Sequence, residues 1–197
     1  MVLGYHVILS TYGFWLPNDP RGSWSDFVRS WELFRLGRAT KVDTRRSVAH
    51  RAHNHAARLS AKRVLRYPPA RFTRLQAREI GRAFGEFASR SKVTILACSI
   101  LPEHVHLVIA RHDYPVEQIA NLLKGAATRR LVAGNLHPLG DFALPGERIP
   151  AMWSRGLWKV FLNRDGNVRR AIRYVESNPV REGKTPQRWS FVTALRL

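Results

Sequence analysis

The chain is expected to fold as an α+β protein, an antiparallel β-sheet with helices packed against it, and three observations carry that expectation. Two apolar runs, Val93–Leu101 and His104–Ala110, stand back to back across Pro102-Glu103, as strands joined by a tight turn do. Just upstream, Ala77, Ile80, Ala83, Phe84 and Phe87 recur at the i, i+3, i+4, i+7 spacing of an amphipathic helix. A length of 197 residues with 45% hydrophobic content is enough for one domain with a real core.

The elements follow in order. Tyr5-His-Val-Ile-Leu-Ser-Thr11 is a β-rich run closed by Gly13, the first strand. Residues 12–43 read as an irregular insertion, because Trp15-Leu-Pro-Asn-Asp-Pro-Arg-Gly22 is dense in turn formers. A helix is expected over 44–66, stopped by Tyr67-Pro-Pro69. Thr73 opens the next helix, with Gln76 placed for a capping box. The two central strands come next, then a helix over 115–133 and a Pro/Gly-rich loop. Trp153 to Leu162 reads as the last strand, and 165–178 as the last helix, ended by Pro179. The order β, two helices, β, β, α, β, α resembles a ferredoxin-like or RRM-like sandwich. The whole of 1–197 is expected to be a single catalytic domain.

Charge narrows the partner. Lys and Arg number 33 against 14 Asp and Glu, a formal charge of +19, and the basic residues are interleaved with apolar ones rather than gathered in a tail. A surface so one-sided calls for a polyanion, and nucleic acid is the default. The one cysteine, Cys98, excludes an internal disulfide framework and a Cys-rich zinc module. No stretch approaches the roughly 18 apolar residues of a membrane span, and the N-terminal residues have no basic n-region, so neither membrane nor export is expected. The expected location is the cytoplasm, in association with the nucleoid.

Three features carry chemistry. His104 and His106 alternate on one side of an apolar, hence central, strand, where adjacent imidazoles suit one shared cation. On the last helix Val168, Ala171, Ile172 and Val175 form the inner stripe, and Tyr174 lies at its edge, about 100° from the centre. Asn178 and Arg170 flank Tyr174 by one turn each way. The run Trp153-Ser-Arg-Gly-Leu-Trp-Lys-Val-Phe161 interleaves rings and cations, so Trp153, Arg155, Trp158 and Lys159 suit stacking on bases and pairing with phosphates. Each has a plainer reading: ordinary strand histidines, a boundary tyrosine with a wet hydroxyl, a tryptophan in the core. A two-histidine phosphodiesterase is excluded, since His6-Val-Ile8 and His104-Val-His106 both lack the Thr or Ser it needs. A zinc hydrolase lacks a third clear ligand, and His50, His53 and His55 read as surface.

Taken together, Leu101-Pro-Glu-His-Val-His106, Trp158-Lys-Val-Phe161 and Tyr174-Val-Glu-Ser-Asn-Pro-Val-Arg181 resemble the single-tyrosine transposases of the HUH nuclease superfamily. The resemblance points to REP-associated tyrosine transposases and their insertion-sequence relatives, and Thr11-Tyr-Gly-Phe-Trp-Leu-Pro-Asn-Asp-Pro-Arg-Gly22 is similar to a segment of some members. It implies the HUH single-tyrosine transposase fold and a metal-dependent endonuclease and strand transferase for single-stranded or hairpin DNA. Tyr174 would attack the scissile phosphate and become linked to the 5′ side. His104 and His106 would hold Mg²⁺ or Mn²⁺, with Asn178 at the position of a third ligand, and Arg170 or Arg173 would favour the developing negative charge. The alternative is a non-catalytic, domesticated protein binding single-stranded or hairpin nucleic acid with the same sheet. A monomer and a homodimer both fit.

Overall fold

A computed structural model of the chain describes residues 1–42, 48 and 51–195. They form two compact units, one of residues 1–11 with 71–197 and one of residues 12–70.

The first unit is built on four strands, β1 (Gly4–Ser10), β2 (Ile95–Ile100), β3 (His104–Ala110) and β4 (Trp158–Leu162), in the order β2-β3-β1-β4 with every neighbour antiparallel. This is the split βαβ arrangement of a ferredoxin-like sheet, and the expected α+β class holds. β1 and β3 are central, so both are buried on both faces. Val7, Leu9, Val105, Leu107 and Ile109 face one side and are fully buried. That side is covered by α3 (Arg74–Ser91) and α4 (Val116–Ala133), which pack on each other. On the other side Val108 and Leu162 meet Val168, Ala171 and Val175 of α5 (Asp165–Arg181), the stripe read from its periodicity.

Local chemistry sets the boundaries. α3 starts at the expected capping box: the Thr73 hydroxyl accepts from the Gln76 amide, and the Gln76 side chain accepts from the Thr73 amide. β4 begins at Trp158 rather than Trp153. Gly156 turns the chain at φ 68°, and Lys124 of α4 donates to the carbonyls of Ser154 and Gly156, drawing them out of any ladder. α5 runs through Pro179 to Arg181 instead of ending before it. A proline one turn from a C-terminus forfeits only its own amide bond, and the Glu182 and Lys184 amides satisfy the carbonyls of Asn178 and Pro179. Beyond α5 the chain returns along β2. Gln187 donates to the Ile100 carbonyl and accepts from its amide, Val192 bridges Ile95, and Trp189 and Phe191 lie over Gly81 and Gly85 of α3. The edge strand is thereby covered.

The second unit holds α1 (Trp31–Phe34) and α2 (His55–Arg63) around a small core of Leu16, Leu33 and Ala61, backed by Val28 and Leu65. The unit starts where the insertion is expected and continues past residue 43 to Ala70, whose amide donates to the Tyr12 carbonyl at 2.9 Å. α2 covers less than the helix expected over 44–66. It starts only where the Asn54 side chain accepts from the Ala57 amide, and residues 51–54 are not helical. Residues 44–47 and 49–50 of that expectation, His50 included, lie outside the described residues.

Candidate active site

The site lies on the α5 face of the sheet. Strand alternation on β3 puts His104 and His106 on this face, with ring centroids 4.8 Å apart. On β1, Ile8 sits opposite His106 and Ser10 opposite His104, so the same alternation brings His6 to this face as well. His6 Nε2 and His106 Nδ1 share a hydrogen bond of 3.0 Å, and their rings stack at 5.3 Å. Sequence reasoning missed His6, which it met only as half of a rejected motif.

Tyr174 hangs over this pair from α5. Its ring lies 5.6 Å from both the His6 and the His106 ring, while the residue remains 39% exposed. A phenol held against buried imidazoles and open to solvent can receive a polymeric substrate. The Arg181 guanidinium stands 5.4 Å from the tyrosine ring, two turns along the same helix. At the helix end Glu182 Oε1 lies 3.5 Å from His104 Nε2, so a carboxylate borders the first histidine. Arg181 and Glu182 were also missed. A wheel extended past Pro179 would have found both, but proline was read as the stop.

Burial makes all three imidazoles neutral at ordinary pH. Desolvation lowers His6 and His104 to about 4. His106, 3% exposed, falls well below its usual value through burial first and then its histidine neighbours. Neutral imidazole is the form that binds metals. Glu182 is raised, mainly by burial, with Glu103 adding to the shift and Lys184 opposing it. Asn178 is buried one turn from Tyr174, and its side-chain nitrogen has no hydrogen-bond partner among the described residues. Two neutral imidazoles are ligands that fit a divalent cation, and the carboxamide could add only its oxygen, since the nitrogen left without a partner is a donor. Among the described residues no three His, Cys, Asp or Glu side chains form a cage by themselves, so the carboxamide or a non-protein ligand would have to complete the shell. His53 and His55 stack on each other, 4.3 Å apart, in the second unit.

The structure divides the expected DNA-contacting residues. Trp158 is in the cluster, edge-on to His6 at 5.8 Å. Arg155 is exposed in the turn before β4 and Arg170 is exposed one turn before Tyr174. Trp153 is a correction: its ring is buried edge-on against Phe72 at 5.1 Å and offers no face to a base. Lys159 is another. It follows Trp158 in a strand, so it points to the opposite face, where it pairs with Glu117 of α4. Arg173 lies on the far flank of α5 from Tyr174, lining a cavity of about 510 Å³ with Arg169, Glu176 and Arg188. Arg181 stands where Arg173 was expected to act.

The chain matches the sequence profile of a family described as "Transposase IS200 like" over residues 64–178, more than half its length. The matched stretch holds His104, His106, Tyr174 and Asn178, and leaves out residues 1–63. Among solved structures it is similar to a REP-associated tyrosine transposase bound to a REP hairpin, with a TM-score of 0.48 and 13% identity, covering 93% of this chain and 70% of that one. It is also similar to a candidate transposase from Deinococcus radiodurans, with a TM-score of 0.45 and 13% identity, covering 90% and 91% respectively. No curated protein sequence matches it.

Proposed function

Since the chain belongs to the IS200-like transposase family, we propose that it is a metal-dependent single-stranded DNA endonuclease and strand transferase that works through a 5′-phosphotyrosine on Tyr174. The observation that carries this reading is the phenol itself, 5.6 Å from the buried His6–His106 pair and open to solvent.

The phenol oxygen attacks the scissile phosphorus. One P–O bond forms to tyrosine, the bond to the 3′ oxygen breaks, the phenol loses a proton and the released 3′-OH gains one. One phosphoester replaces another, so a 3′-OH of a second strand can reverse the exchange without a nucleotide cofactor. Free tyrosine has a pKa of about 10 and needs help at neutral pH. Arg181 over the ring and Arg170 one turn away favour the developing phenolate and phosphorane charge. His104, His106 and the Asn178 carboxamide would hold Mg²⁺ or Mn²⁺, which when bound supplies Lewis-acid polarisation of the phosphate. Histidine ligands favour Mn²⁺ of the two. The excess of positive charge supports a nucleic-acid substrate.

The test is covalent capture. Wild-type protein, labelled single-stranded DNA with a flanking hairpin and Mn²⁺ should give an adduct that survives denaturant. Tyr174→Phe, which removes one oxygen and little packing, should bind the DNA and give none. An adduct in Tyr174→Phe would move the nucleophile elsewhere. No adduct with wild type on any hairpin-flanked substrate would leave a binding protein.

A further inference from the structure

The run Trp15-Leu-Pro-Asn-Asp-Pro-Arg-Gly22 is densely bonded within the second unit. Asp19 and Arg21 form a buried bidentate pair at 2.8 Å, and the Arg21 guanidinium lies 3.8 Å over the Trp15 ring. Trp15 Nε1 donates to the Gly22 carbonyl, Thr40 Oγ1 donates to the Asp19 carbonyl at 2.6 Å, and the Thr40 amide donates to the Pro17 carbonyl. Gly22 turns at φ 117°, and a Cβ there would meet Val42 at 2.8 Å. Ser23 then pairs with the returning chain, its amide donating to Thr40 and its carbonyl accepting from Val42. The run is the base of a closed loop, residues 23–42.

The loop is anchored from inside as well. Leu33 is buried in the unit's core, its carbonyl accepts from the Asn18 side chain at 2.9 Å, and Ser30 caps α1. Fixing Leu33 inward turns the rest of α1 outward. Trp31 is 67% exposed and Phe34 41%, and their rings lie nearly parallel, 5.8 Å apart. Phe27 is exposed beside them in sequence, with the Arg29 guanidinium 5.0 Å from its ring. The loop's acids are already engaged, Asp26 with Lys41 and Glu32 with the Ser30 hydroxyl. Arg29, Arg35 and Arg38 are exposed and make no ion pair among the described residues. Exposed flat rings on a rigid base, interleaved with unneutralised guanidiniums, match the π-faces and phosphates of an unpaired strand. An apolar protein partner would not call for the arginines.

We propose that the 23–42 loop is a second DNA-contact surface, which stacks unpaired nucleotides on Trp31 and Phe34 and holds their phosphates with Arg29 and Arg35. The inference rests on DNA being the substrate, and it assigns a role to residues outside the 64–178 family match.

The experiment measures anisotropy of a labelled hairpin with and without a short unpaired flank, at constant salt. Wild type should bind the flanked hairpin at least about tenfold more tightly, the worth of one or two stacked bases. The double variant Trp31→Ala with Phe34→Ala should lose that increment and keep wild-type affinity for the unflanked hairpin. Trp31→Phe with Phe34→Tyr should restore it. Should the alanine pair melt early, Arg29→Gln with Arg35→Gln leaves the rings in place and should lose the same increment. Equal affinity of wild type and both double variants for the flanked hairpin overturns the proposal. So does an equal loss on both hairpins, or a loss of self-association in sedimentation with DNA binding unchanged, which would make the loop a contact between copies. An adduct on Tyr174 with no effect of the loop variants sinks this inference alone, and a wild-type protein that binds neither hairpin sinks the substrate reading beneath it.

Discussion

His6 decides which nitrogen His106 can offer. If His106 donates its Nδ1 proton to His6 Nε2, its own Nε2 keeps a lone pair for a cation; in the opposite tautomer that lone pair is gone. His6→Ala removes the acceptor and should weaken Mn²⁺ binding, read by calorimetry without DNA, by roughly 10–100-fold. His6→Asn, which keeps an acceptor oxygen, should recover part of it, and unchanged affinity in His6→Ala would remove the role. A second residue-scale prediction concerns Lys124, which burial lowers from 10.5 to about 8. Between those values the unfolded chain binds more protons than the folded one, so this lysine's cost is full below pH 8 and fades as pH rises toward 10.5. The urea midpoint of wild type should therefore gain on that of Lys124→Met from pH 8 to pH 10. That His104, His106 and Tyr174 lie together was legible because polar groups on a central strand and at a stripe edge stand out against apolar neighbours. His6 was not, because its role depends on β1 pairing with β3, which no local pattern states. Lys159 was misjudged by treating a strand as a continuous surface.

At the scale of elements, the glycine pair of α3 makes a sharp test. A Cβ on Gly81 would come within 2.2 Å of the Trp189 ring, whereas one on Gly85 meets Phe191 at 3.2 Å. Gly81→Ala must push the return segment off β2 and should cost about 1–3 kcal/mol in denaturant unfolding, overpacking outweighing the gain in helix propensity. Gly85→Ala, needing only a small shift, should come out near neutral, and equal effects at both positions would argue against the docked tail. Helix starts were legible where a side chain announces them, as Thr73 and Gln76 do. The ends were harder. Pro179 was read as a terminator although one turn from the end it forfeits only one bond, and β4 was begun early because Lys124, which diverts 154–156, is 30 residues away from Ser154.

For the molecule as a whole, the positive charge is dispersed over many elements, so DNA affinity should fall smoothly with salt. A log–log slope of about −0.7 per phosphate contact is expected for single strands. Arg35→Gln should reduce it by about that amount on the flanked hairpin only, and a slope near zero would argue against phosphate binding altogether. The α+β class and the order of the four strands were legible in the sequence, since periodicity and turn residues mark them, whereas the one-turn helix α1 (Trp31–Phe34) lies inside the stretch read as irregular and is too short to show a period. That residues 12–70 form a compact unit was not. Among its described residues the cohesion comes from a buried ion pair, a few carbonyl acceptors and the small core around Leu16, Leu33 and Ala61, none of which leaves a repeating pattern.

The histidines come from β1 and β3, and the phenol comes from α5, which follows them in the chain. During synthesis the imidazoles therefore emerge first and the Tyr174 phenol last. A nascent chain stalled before α5 presents the histidines with nothing to attack a phosphate, and α5 docks only by covering Val108 and Leu162, the second of which is itself made late. Under the proposed mechanism the order of the elements acts as a safety catch: no strand could be nicked until translation had passed the tyrosine.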